Sequence, residues 1–115
     1  MTTRDFRIKV RGVFEQLSDQ QRAELLAAAP QHDLFGATFT PEGHLSYDLA
    51  ARPFFTFRFA ESGENDEDLA AASDRAESAA RAWLDGRGLG YRLVQTQAED
   101  LSKAPLSKRQ RRDQR

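Results

Sequence analysis

Two runs in this chain repeat with a period of two, and they constrain its fold more than any other feature. "FRIKVRGVF" (6–14) sets Phe6, Ile8 and Val10 on one side and Arg7, Lys9 and Arg11 on the other. "RPFFTFRF" (52–59) sets Phe55, Phe57 and Phe59 against Arg52, Phe54, Thr56 and Arg58. Successive side chains of a strand point to opposite faces, so this spacing describes strands with one apolar face to bury. Phe6, Ile8, Val10 and the three odd-numbered phenylalanines are the predicted core, with Trp83 joining from a helix. Burying each such ring contributes roughly 1.5–3 kcal/mol.

The rest of the chain supplies the cover. In "LSDQQRAELLAAAP" (17–30), Ser18 and Gln21 form a capping box, and Arg22, Leu25, Leu26 and Ala29 fall at helical spacing up to Pro30, which stops the helix. "SGENDEDLAAASDRAESAARAWLDGRG" (62–88) reads as a second helix. Asn65 or Asp66 caps it, and Asp66, Glu67 and Asp68 meet the positive end of its dipole. Its apolar stripe is Leu69, Ala72, Ala76, Ala79, Ala80, Trp83 and Leu84, mostly alanine, which lets a helix sit close to a sheet. Gly86 or Gly88 ends it. "LFGATFT", the turn "PEGH" and "LSYDLAA" read as a hairpin. Leu45, Tyr47 and Leu49 share odd parity with Phe55, Phe57 and Phe59, so 45–59 is expected to be one long third strand bent at Pro53. Gly12 ends the first strand or marks a bulge, and "YRLVQTQ" (91–97) is the last strand.

The order β-α-β-β-α-β predicts an α+β, ferredoxin-like sandwich, a four-stranded antiparallel sheet with both helices on one face and strands one and three at its centre. The domain is expected over 1–101, with 102–115 a disordered basic tail. At 115 residues, one domain with a self-sufficient core is expected. With no cysteine, disulfide and thiolate chemistry are excluded. No apolar run reaches the roughly 18 residues of a membrane helix, and the N-terminus lacks a signal-peptide core. A cytoplasmic protein without membrane association is the expectation.

The net charge of -1 is unevenly spread. Residues 103–115 hold six basic residues and one acid, a balance of +5; residues 1–102 hold 11 basic and 17 acidic residues, a balance of -6. Arg7, Lys9 and Arg11 of strand one and Arg52, Phe54 and Arg58 of strand three would share the face away from the helices. Like charges side by side on a sheet cost stability. Anions of a partner, solvation, or local acids such as Asp5 and Asp48 would offset that cost. Lys108, Arg109, Arg111 and Arg112 of the tail would add phosphate contacts with strong salt dependence.

The topology is similar to that of RNA-recognition motifs, which stack bases on aromatics of the two central strands. Here "RPFFTFRF" lacks that family's glycines, only Phe54 faces outward, and strand one offers no aromatic. Backbone-tracking electrostatic binding is the mode that remains. "VRGVF" (10–14) resembles the phosphate loop of acylphosphatases over about five residues. It is followed by Glu15 and Gln16 where that family has arginine, and the orienting asparagine is missing. His32 and His44 lie in or near loops without metal-ligand spacing. "ENDED" is explained by its helix start, and "DGRGLG" runs from helix to strand, the reverse of a dinucleotide loop. No catalytic residue, metal or cofactor is expected.

Over nearly its whole length, through "TPEGHLSYDLAARPFFTFRF", "QAEDL" and "APLSKRQRR", the chain resembles a family of short, uncharacterised actinobacterial proteins. That resemblance implies a single domain and no site residues. The leading expectation is a non-enzymatic binding module for an anionic partner, RNA or the ribosome first. A dimerising protein–protein module, through the edge "LFGATFT", and a binder of or enzyme on an anionic metabolite are the alternatives.

Overall fold

The structure is a computed structural model and describes residues 3–32 and 36–101. Strand β1 (Arg4–Phe14) is followed by helix α1 (Asp19–Ala27), a 3-10 turn (Ala29–His32), strands β2 (His44–Tyr47) and β3 (Phe54–Gly63), helix α2 (Asp66–Gly86) and strand β4 (Tyr91–Asp100). The strands form one sheet in the order β2-β3-β1-β4, and every pairing is antiparallel. The alternating strands β1 and β3 are central.

The covered face is apolar at its centre, with Arg4, Glu61, Thr96 and Asp100 toward its margins. Phe6, Ile8, Val10 and Phe14 of β1, Leu45 and Tyr47 of β2, and Phe55, Phe57 and Phe59 of β3 are buried together with Leu25 of α1 and Ala72, Ala76, Ala80 and Leu84 of α2. Phenylalanine rings run along it at centroid separations of 4.9 Å (Phe14–Phe55), 5.7 Å (Phe55–Phe57) and 6.3 Å (Phe57–Phe59), distances at which aromatic pairs attract. Leu69 and Trp83 are half-buried beside this core and Ala79 is exposed, so the buried stripe of α2 is narrower than the sequence suggests.

The helices begin and end as their sequences dictate. Ser18 Oγ accepts from the Gln21 amide at 3.1 Å while Gln21 Oε1 accepts from the Ser18 amide at 3.0 Å. Asn65 Oδ1 accepts from the Asp68 amide at 2.9 Å. α2 closes with Gly88 at φ +65, where Leu89 N donates to Leu84 O at 3.1 Å and Gly88 N to Asp85 O at 3.0 Å. That pair of bonds is a Schellman cap, and its usual apolar partners, Leu84 and Leu89, are both buried. Proline does not end the first helix abruptly. α1 stops at Ala27 and the chain passes through Pro30 in the 3-10 turn.

The hairpin is placed differently from the sequence reading. The third strand is not one element over 45–59, because β2 turns back through 48–53 and pairs with β3 in the register Leu45↔Phe57 and Tyr47↔Phe55. Of "LFGATFT", residues 34 and 35 lie outside the described residues, and 36–40 contributes only a bridge from Thr40 to Phe59. The turn at "PEGH" is present, with Gly43 at φ +89 and its amide donating to Thr40 O at 3.2 Å. β1 does not end at Gly12. It runs to Phe14, and the β1–β4 register shifts between Arg11 and Gly12. β4 extends three residues past Gln97, to Asp100.

Candidate functional site

Among the described residues the sheet's second face carries no helix, and its centre is basic. Lys9 and Arg58 are direct cross-strand partners, Arg11 faces Thr56 and Arg7 faces Ala60. On the β2 side, Ser46 faces Thr56 and His44 faces Arg58. The 48–53 connection rises beside this surface as a tight turn, with Ala51 N and Arg52 N both donating to Asp48 O, at 3.0 and 2.8 Å. Sheet and turn enclose an open basin of about 570 Å³ lined by Lys9, Arg11, Arg52, Arg58, Phe54 and Thr56, with Ser46 and Asp48 also on its wall.

Four of the basin's side chains are therefore cationic. Among the described residues, no carboxylate comes within 4.0 Å of these four or of Arg7; the basic partners of the ion pairs found there are Arg4, Arg75, Arg81 and Arg92. Neither Asp5 nor Asp48 closes an ion pair with them. Glu99 faces Arg7 across the β1–β4 ladder without closing to an ion pair. Arg7 instead lies over the Phe39 ring, 5.2 Å from its centroid.

Arg58 is the best-anchored of these cations. It is half-buried, and its Nη1 donates to the buried Ser46 Oγ at 2.6 Å. Burial first, and then the charge of Arg11, push its pKa down from the ordinary arginine value. An arginine stays protonated regardless. The depression means that the cation is held there against desolvation and a like charge, a cost that a bound anion would offset. Phe54 stands at the basin's edge with 52% of its surface exposed, the most exposed phenylalanine among the described residues with large apolar side chains.

Of the six residues picked out from the sequence, Arg7, Lys9, Arg11, Phe54 and Arg58 lie on this face of the sheet; Arg52 lies not on strand three but in the 48–53 turn, because the chain is still folding back there, and all but Arg7 line the basin. Lys108, Arg109, Arg111 and Arg112 lie outside the described residues. Sequence reasoning set Thr56 on the open face and Asp48 near it but did not connect Ser46 with that face. Its even parity was the available signal, but the pairing of β2 with β3 was not.

Other chemistry is sparse. Among the described residues no three histidine, aspartate or glutamate side chains converge to hold a metal ion, and no helix is long and apolar enough to cross a membrane. His32 packs against Tyr47 and Trp83, with Nδ1 3.0 Å from Leu45 O. His44 has a buried Nδ1 without a hydrogen-bond partner. Its pKa is lowered by burial first, then by His32 and Arg58. A histidine that is harder to protonate folded than unfolded takes up its proton preferentially in the unfolded chain. It therefore leaves stability intact well above pH 6.5 and removes it as the pH falls through that value toward the folded pKa. The urea midpoint is expected to fall between about pH 7.5 and 5.5, and by less in His44→Gln; an equal fall in both proteins would clear His44 of any part in it.

Comparison with curated proteins and with solved structures gives no match. Residues 1–112 match the model of a "Family of unknown function (DUF6204)". The chain, matched over all but its last three residues, belongs to that family of unknown function.

Proposed function

We propose that this domain is a non-enzymatic module that binds an anionic partner on its open sheet face, with single-stranded RNA as the partner class. The supporting observation is that five cations, Arg7, Lys9, Arg11 and Arg58 on the sheet and Arg52 on the adjoining turn, gather on one side, and among the described residues none closes an ion pair with a carboxylate within 4.0 Å. Phosphates would lie over Lys9, Arg11 and Arg58, and Phe54 offers one exposed ring for a base to stack on. Lys108, Arg109, Arg111 and Arg112 would extend the phosphate contacts along a longer strand, whether free or in a ribosome. The fold reading behind this is the ferredoxin-like plan. It is supported by the order β-α-β-β-α-β, the central position of β1 and β3, and the shared core of both helices.

Each phosphate neutralised on a single strand contributes about 0.7 to the slope of log affinity against log salt. Fluorescence anisotropy with a short single-stranded RNA should therefore show steep salt dependence. Replacing Lys9, Arg11 and Arg58 together by glutamine should reduce that slope by about 2. Absence of binding at low salt would sink the proposal. An unchanged slope in the triple variant would move the contacts away from the sheet, and a chain ending at Ser102 would then test the tail.

A second reading is favoured by the concavity itself. About 570 Å³ lies within the roughly 300–1,000 Å³ typical of small-molecule sites, so an anionic metabolite would also fit. Saturable binding of a mononucleotide or inorganic phosphate, without affinity for RNA, would select it.

A further inference from the structure

The two edges of the sheet are unlike. At one edge β2 is only four residues long, and next to it Thr40 caps β3, donating to Arg58 O at 3.4 Å and accepting from Ala60 N at 2.8 Å. At the other edge β4 runs for ten residues, and among the described residues no strand pairs with its far side. From Leu93 to Ala98 it reads "LVQTQA", with no charge, proline or glycine, and Val94 is 57% exposed. Long uncharged edges are templates for another strand, and proteins ordinarily break them with charges or prolines.

The register of β4 points to which strand. Arg92 and Glu99 are an odd number of residues apart, so a regular strand would place them on opposite faces. The shift opposite Arg11 and Gly12 brings both onto the open face, Arg92 beside Val13 and Glu99 beside Arg7. β4 thus carries a cation near its start and an anion near its end on the same side. Both are exposed. Arg92 meets Glu15 only at 3.5 Å, a surface pair of the kind that contributes little.

We infer that β4 pairs with β4 of a second copy, antiparallel about a twofold axis at Thr96, with Arg92 of each copy beside Glu99 of the other. In that register Leu93 meets Ala98, and Val94 with Gln95 meets Gln97, so every matched position keeps its face. Parallel pairing would instead set Arg92 against Arg92 and Glu99 against Glu99. The product is a continuous eight-stranded sheet with both basic faces on one side, and it stands independently of what those faces bind.

The full chain should sediment at twice its 13.0 kDa mass at high concentration. Arg92→Glu and Glu99→Arg should each weaken the dimer by about tenfold or more, since two cross-strand pairs turn from attractive to repulsive. The double variant should regain dimerisation, and an equimolar mixture of the two single variants should form mixed dimers. A mass that stays at 13.0 kDa across the concentration range overturns the inference. So does a dimer that neither reversal weakens, or one that the double variant fails to restore.

Discussion

Phe6→Ala is expected to cost this fold about 3–5 kcal/mol, the usual range for emptying a buried aromatic site. The melting temperature should drop by roughly 15–30 °C at this chain length. Phe6 has no exposed surface and sits on a central strand, between Glu61 of β3 and Asp100 of β4 in the ladder. Its ring reaches the far end of β3. A Cβ placed on Gly63 would come within 2.7 Å of Phe6 Cε2, so backbone is packed directly against the ring. Few neighbours could collapse into the space, because the side of α2 facing the sheet is largely alanine. Phe54→Ala is the control. That ring points outward, and its loss should change stability by no more than about 0.5 kcal/mol. Urea denaturation of both variants measures the contrast, and equal losses would mean that the two faces of β3 have been assigned the wrong way round.

Gly12→Val should be nearly as damaging, by the opposite mechanism. A Cβ at Gly12 would lie 2.5 Å from Cζ of Phe55 and 2.7 Å from the carbonyl oxygen of Arg92. One of these is a ring fixed in the core and the other is backbone, so neither yields easily. Overpacking of this kind costs about 1–3 kcal/mol when the surroundings relax and more when they do not. Gly12 also sits where the β1–β4 register shifts, so a branched side chain there would displace the strand that the shift depends on. Denaturant titration of Gly12→Val against Gly36→Val makes the comparison, since none of the described residues lies within 4 Å of a Cβ at Gly36. Indistinguishable midpoints would show that β4 is free to move away from Phe55.

Legibility in the sequence followed locality. The alternation of β1, the capping box at Ser18 and Gln21, and the acidic start of α2 are each determined by residues within a few positions of one another, and each stands in the structure. The hairpin depends on pairing, which alternation does not encode. In the observed register each β2 residue and its β3 partner have the same parity, Leu45 with Phe57 and Tyr47 with Phe55. A single bent strand over 45–59 would put the same residues on the same face, so periodicity alone cannot separate the two. Leu49 completes the ambiguity, because it is buried from within the connection rather than from a strand. For the site, facing directions were readable from parity, and they bring Lys9, Arg11, Phe54 and Arg58 to one basin. The turn at 48–53 that gives the basin its wall was not readable, since it exists only once β2 has folded back on β3.

Trp83 is the one tryptophan in the chain, and its position has a practical consequence. Its indole packs edge-on against Phe57 at 5.8 Å and lies beneath the Arg87 guanidinium at 3.8 Å, beside the α1 side of a cleft of about 270 Å³. All of this is on the helical side of the sheet, with the sheet itself between it and the basic face. Tryptophan emission from this chain is thus an optical gauge of core integrity, placed across the sheet from events on the opposite surface. Unfolding curves recorded through it in the presence of a ligand would report linkage to stability.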